Sequence, residues 1–277
     1  MTIKIQARHL SLKIPNYVQR NPTASGMVRE ILSEAFVRSR REYRTILDDL
    51  DFTVSDGDRI ALLGRNGAGK TTLLRVLSGA FQPTEGTLEV HGTRQALLNL
   101  SLGFNNNATV RENIFLRGTA MGMDLSAIGS LVDSILDFAG LSDVAQHRLL
   151  TLSSGQRMRL GFAISTSMQH DIMLMDEWFG AGDASFIAKA RARLSDCVDG
   201  CRIMVLASHN LQMIRKTCSR GLVLDGGRQV FIGSMEEAID AYKAIYQSLP
   251  GYVPTSNKKV ARARKRGASG RKTPKPE

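Results

Sequence analysis

Apolar residues fall along this chain in two rhythms. Unbroken runs occur at Ile60-Ala61-Leu62-Leu63, Ile172-Met173-Leu174-Met175 and Ile203-Met204-Val205-Leu206-Ala207. Runs this short, without polar alternation, predict buried strands. Ile3 to Pro15 alternates loosely and predicts an edge strand. Ile46 to Val54, then Asp56-Gly57-Asp58, then Arg59 to Leu63 read as strand, turn, strand, and Leu88 to Leu98 adds more strand. Leu222-Val223-Leu224 and Gln229 to Ile232 flank Gly226-Gly227 and predict a closing hairpin. Elsewhere the period is helical. Leu73, Leu74, Val76 and Leu77 keep helical spacing up to Gly79, and further helices are predicted over 109–121, 125–139, 154–168 and 234–247. Within 24–41, Val28, Ile31, Leu32, Ala35 and Phe36 share one helical face, with Arg29, Glu30, Arg38, Arg40 and Arg41 elsewhere, which makes an amphipathic helix. Mixed strands, a helical block, then α/β again describe one domain with a helical subdomain, and no internal repeat interrupts it.

Composition narrows the classes. The chain has 277 residues, 43% of them hydrophobic, enough for a packed core. No stretch approaches 18 consecutive apolar residues, so no membrane-spanning helix is expected. Met1-Thr2-Ile3-Lys4 opens without the apolar core of a secretory signal. Cys197, Cys201 and Cys218 form no metal-ligand pairs and no disulfide framework, so free thiols in a reducing cytoplasm are expected. The net charge of +11 points to nucleic acid until it is located. Residues 257–277 carry nine Lys and Arg against Glu277 alone, which is +8 of the +11. The basicity is therefore a tail and not a groove, which argues against nucleic acid as partner. Its Gly, Ser, Pro and charge density predict disorder over 246–277. Such a tail is either a solvated end or drawn to an anionic membrane surface or a polyanionic partner.

Candidate chemistry begins with glycine. Gly64-Arg65-Asn66-Gly67-Ala68-Gly69-Lys70-Thr71-Thr72 matches G-x-x-x-x-G-K-[ST] between a predicted buried strand and a predicted helix. That context predicts a phosphate-binding loop. Glycines let backbone N–H groups close around phosphate oxygens, and the helix N-terminus adds positive dipole. Lys70 is expected to reach the β- and γ-phosphates, and Thr71 to offer its hydroxyl to Mg²⁺. The strand at 172–175 ends in Asp176-Glu177, two carboxylates where open α/β sheets place ligands. Asp176 suits Mg²⁺, directly or through water, and Glu177 suits orienting and deprotonating an attacking water. In Leu152-Ser153-Ser154-Gly155-Gln156, Ser153 or Ser154 is expected to cap a helix beginning near 155. A helix N-terminus with a free serine hydroxyl is an anion site.

Phosphate loop, LSSGQ, Asp-Glu after an apolar strand, then Ser208-His209 is an order of motifs that resembles the ATP-binding cassette (ABC) ATPases. The motifs span 64–209, and flanking strands extend the likeness to about residue 245. The resemblance implies an α/β fold: an ABC-type P-loop ATPase with a RecA-like core, an antiparallel β subdomain and a helical signature subdomain. Residues 1–245 would form this domain, with an amphipathic helical insert at 16–45 and the helical subdomain at 104–168. Gly64, Arg65, Asn66, Gly67, Ala68, Gly69, Lys70, Thr71 and Thr72 would bind ATP. Ser153, Ser154, Gly155 and Gln156 would form the signature, which contacts the γ-phosphate held by the other subunit. Ser154 stands at the first of the family's two glycine positions. Gly180-Ala181-Gly182-Asp183 takes the D-loop position, with Asp183 as its acid, and His209 matches the switch histidine beside the catalytic Glu177. Two positions depart. The glutamine that senses Mg²⁺ is replaced in Gly103-Phe104-Asn105-Asn106, with Asn105, one methylene shorter, as its counterpart. The aromatic that stacks on adenine falls near Ile14, so either Tyr17 substitutes or Ile14 supplies an apolar contact.

Three stretches are similar to the ABC branch that exports bacterial surface polysaccharides such as capsule, O-antigen and teichoic acid. They are Arg111-Glu112-Asn113-Ile114, Leu152 to Leu160, and Glu177 to Asp183 with Phe186 and Lys189-Ala190. The insert at 16–45 fits, because that branch carries an extra amphipathic helix near the membrane. The resemblance implies ATP hydrolysis with Mg²⁺, coupled to moving a lipid-linked polysaccharide across the inner membrane. It also implies a homodimer with two head-to-tail sites, a polytopic permease on a separate chain, and a place on the cytoplasmic face of the bacterial inner membrane. The residues after the last predicted helix, nine of them basic, would be too few for the carbohydrate-binding domain some members append. The alternatives are the ATPase of another ABC transporter class, against which the 16–45 helix argues, and a soluble ABC ATPase acting on ribosomes or DNA. The latter usually carries tandem cassettes or coiled-coil arms, and neither is in this sequence.

Overall fold

The computed structural model describes residues 2–16, 42–98, 100, 103–177 and 184–247. Tyr17, most of the 16–45 insert, Asp183 and the chain beyond Gln247 lie outside the described residues.

Strands β1 (Lys4–Asn16), β2 (Glu42–Ser55) and β4 (Glu85–His91) make an antiparallel sheet in the order β2-β1-β4. β1 is thus the middle strand and not the edge that its alternation predicted. Its second neighbour, β4, arrives only after the whole phosphate loop and its helix, so nothing local in β1 announces it. The β1–β2 ladder runs on to Pro15↔Tyr43 and Asn16↔Glu42. Asn16 and residues 42–45, read as ends of a helical insert, are therefore strand. Tyr43 and Thr45 suit a pleated surface, and each gains a cross-strand partner there.

A second sheet has the order β5-β6-β7-β3-β8-β9. It comprises β3 (Arg59–Gly64), β5 (Arg94–Leu97), β6 (Ile172–Asp176), β7 (Ile203–Ala207), β8 (Arg220–Asp225) and β9 (Arg228–Ser234). All its pairs are parallel except the β8–β9 hairpin. The predicted strand run 88–98 is divided between the two sheets. The crossing is at Gly92, whose φ of +124° disfavours any side chain.

Both faces of the parallel strands are covered, which is why they read as continuous apolar runs. On one face lie the antiparallel sheet and helix α1 (Lys70–Leu77), where Leu62, Leu174 and Val205 pack with Ile5, Leu47 and Leu74. On the other lie α5 (Ala184–Gly200), α6 (Leu211–Thr217) and α7 (Met235–Gln247), where Leu63, Met173 and Leu206 meet Phe186, Leu194 and Ile239. Helices α5 and α6 were not among the sequence expectations. α7 continues two residues into the segment assigned to the tail. Helices α2 (Val110–Ala120), α3 (Leu125–Ala139) and α4 (Ser154–Ser165) enclose a separate core around Ile114, Val132 and Leu160. Among the described residues no helix is long and apolar enough to cross a membrane.

All three thiols are free and buried beneath the sheet. Burial raises the pKa of Cys197 and Cys201 and pushes that of Cys218 up to about 12. Thiolate, the reactive form, is thus suppressed as well as shielded. The native chain should stay unlabelled by iodoacetamide at mildly alkaline pH, under conditions that label all three cysteines in denaturant. Ready labelling of native protein would show that the α5 face opens.

Candidate nucleotide site

β3 delivers the chain to Gly64 beside Leu224 of β8, close enough that a side chain at 64 would strike the Leu224 carbonyl. Gly67 and Gly69 take φ of +80° and +101°, in the left-handed region that glycine enters at little cost. Three neighbours then brace the loop. The Gly227 N–H donates to the Ala68 carbonyl at 3.2 Å, and the Asp48 N–H donates to the Gly227 carbonyl at 2.9 Å. Leu47 of β2 fills the space that a Cβ on Gly69 would need. The Gly226-Gly227 turn, read only as a hairpin signal, is thus a buttress of the phosphate loop. α1 begins after Gly69 with no side-chain cap, so its first N–H groups have no capping side chain as acceptor. An uncapped helix start behind left-handed glycines is a fitting cradle for phosphate oxygens.

Lys70 is buried, and its Nζ donates to the carbonyls of Gly64 at 2.7 Å and Arg65 at 3.0 Å. Burial lowers its pKa, while Asp176 and Glu177 act in the opposite sense. The two loop carbonyls hold the ammonium, and the nearby carboxylates favour its charged form. The Thr71 hydroxyl donates to Asp176 Oδ2 at 2.5 Å. Hydroxyl and carboxylate oxygens in contact are a hard donor pair, which fits a Mg²⁺ that takes its remaining ligands from water and phosphate.

Glu177 follows β6 with φ of +70°, unusual outside glycine. Its N–H donates to the Ala207 carbonyl at 2.7 Å, and its Oε1 accepts from the Ser208 hydroxyl at 3.0 Å. Ser208 Oγ in turn accepts from the Asn210 N–H at 3.2 Å, and Asn210 caps α6 through Met213 N at 3.1 Å. The ends of β6 and β7 are therefore tied, and exposed His209 is held between two fixed residues. Sequence reading singled out Ser208 as a motif letter but not as the partner of Glu177.

Ser153, rather than Ser154, caps α4. Its Oγ accepts from Gln156 N at 3.2 Å, and Gln156 Oε1 accepts from Ser153 N at 2.9 Å, a reciprocal capping box. Accepting that bond leaves the exposed hydroxyl's own proton free to donate. α4 packs mainly on α2, α3 and β5, whereas α1 packs mainly on β2, β3, β6 and β7. The signature and the phosphate loop thus sit on different layers of the chain. Asn105 is exposed, and its Oδ1 accepts from Asn107 N at 3.0 Å. Ile14 is exposed near the end of β1, where it pairs with Arg44 two residues beyond the Leu12↔Leu47 pair.

A family model described as ABC transporter matches residues 47–180. The O-antigen export system ATP-binding protein RfbB of Klebsiella pneumoniae is 34% identical over 73% of this chain and 82% of its own length. The chain belongs to the ABC transporter ATPase family. A Myxococcus xanthus protein, also described as O-antigen export RfbB, is 33% identical over 75% of this chain, which spans only 49% of that relative. The teichoic acids export ATP-binding protein TagH of Bacillus anthracis is 33% identical over 76% of this chain and 38% of its own length. A solved structure described as an ATP-binding subunit of an ABC transporter superposes with a TM-score of 0.62 at 18% identity. It covers 87% of this ABC ATPase chain and 98% of its own, which establishes the fold.

Proposed function

We propose that this chain is the ATP-hydrolysing subunit of an exporter that carries a lipid-linked surface polysaccharide across the bacterial inner membrane. The observation that carries the chemistry is the pairing of Thr71 with Asp176 beside a Glu177 fixed by Ser208. Lys70 and the α1 N-terminus bind the phosphates, and Ile14 lines the base. Thr71 and Asp176 would hold Mg²⁺, which would supply Lewis-acid charge there. Glu177 accepts a proton from the attacking water, and His209 stands at the γ-phosphate. Ser153, Ser154 and Gly155 face the nucleotide of a second copy, so two chains enclose two sites. The placing of the signature on a layer apart from its own phosphate loop supports that arrangement. Asp183 belongs to the same interface, and Asn105 reports on Mg²⁺.

The relatives named for O-antigen and teichoic acid export support the substrate class. Residues 1–245 act as the ATPase domain on the cytoplasmic face, with 17–41 towards the membrane partner and a basic tail after it. A tagged chain purified from detergent extract should bring down a polytopic membrane protein. Cells carrying Glu177→Gln should accumulate lipid-linked glycan on the inner side of the membrane. Recovery of ribosomes or DNA instead, with glycan export intact, would reject this reading.

A further inference from the structure

The connection from β5 to α2 starts at the carboxyl end of the parallel sheet, since Leu97 pairs with Met175 next to Asp176. It ends against the signature. Two separate contacts fasten it to α4. Near the C-terminal end of α4, the Leu100 carbonyl lies so close to Gly161 that no side chain fits there. The same carbonyl accepts from Arg117 Nη1 at 2.6 Å, and Arg117 Nη2 donates to Ser165 Oγ at 3.2 Å. At the N-terminal end, Arg157 reaches in three directions. Its Nη1 donates to Asn106 Oδ1 at 3.3 Å, its Nη2 to the Leu150 carbonyl at 3.0 Å, and its Nε to the Leu152 carbonyl at 3.2 Å. Leu152 immediately precedes Ser153. Backbone bonds repeat the tie, from Leu149 N to the Ala108 carbonyl and from Leu150 N to the Asn106 carbonyl. Asn113, fully buried, holds the loop's own shape by bonding both the N–H and the carbonyl of Asn105.

We infer that Arg157 is a positioning residue: it keeps the Ser153 turn in register with the Asn106 loop that leaves the nucleotide end of the sheet. A guanidinium suits this task because its planar fork spans three acceptors at once, which an ammonium cannot do from one place. The inference rests on the two-chain arrangement proposed above.

The test uses the full-length chain with Glu177→Gln, which slows turnover so that association can be followed by light scattering against Mg-ATP concentration. Arg157→Ala and Asn106→Leu should each raise the midpoint for dimer formation about tenfold, while a fluorescent ATP analogue binds the monomer within about twofold of the parent. Asn106→Asp, which keeps the acceptor, should restore the parent midpoint. The double variant should be no worse than either single one, because the two side chains act as a unit. A parent that stays monomeric in Mg-ATP would reject the dimer reading itself. A parent that dimerises while Arg157→Ala dimerises equally well would overturn the positioning role. So would a loss of monomer nucleotide affinity that matches the loss of dimer.

Discussion

Glu177→Gln is expected to bind ATP as the parent does, collect as a dimer in Mg-ATP, and hydrolyse about 100- to 10,000-fold more slowly, the span that a general base contributes. The structure makes this substitution selective. Glutamine retains an Oε1 for the Ser208 hydroxyl, and the backbone bond from residue 177 to Ala207 is untouched. The left-handed φ at 177 is as costly for glutamine as for glutamate. What disappears is a carboxylate able to take a proton. Light scattering and a phosphate-release assay on one preparation measure both halves. Turnover near the parent rate would move the catalytic base elsewhere. Slow turnover without a dimer would break the link between hydrolysis and separation of the two chains.

Lys70→Ala should weaken nucleotide binding about 10- to 100-fold, because charge-assisted hydrogen bonds to the phosphates are lost. It also removes the ammonium that bonds Gly64 and Arg65 across the loop. Asp176 and Glu177 would also lose the ammonium that offsets their charge near the phosphates, which adds repulsion to lost attraction. The fold should survive, since the loop is also braced by Gly227 and Leu47. Isothermal titration with ATP, together with a thermal melt of the empty protein, separates the two effects. Unchanged affinity in a folded variant would refute the loop assignment.

The nucleotide end of the fold was legible because its parts are contiguous in sequence. Six strands of one sheet and the loops at their ends are each a few residues long, and glycine, lysine and acid sit at fixed offsets. Contacts between distant segments were not legible. Ser208 meets Glu177 only because β6 and β7 are neighbours, and Asn113 reads as a polar helix position until the loop it serves is folded over it. The central place of β1 was hidden for the same reason. Helix α5 escaped for another. Its buried face is Phe186, Ala190, Leu194, Cys197 and Val198, and the small residues in that stripe dilute the periodic signal.

The β1–β2 ladder closes with Asn16 opposite Glu42. Paired strand residues stand about 5 Å apart, so residues 17–41 leave and rejoin the domain at nearly one point. That makes the segment a cartridge. A tight hairpin turn joining Asn16 to Glu42 should keep the strand register that sets Leu47 against Gly69. A change of length there leaves the nucleotide engine as it was.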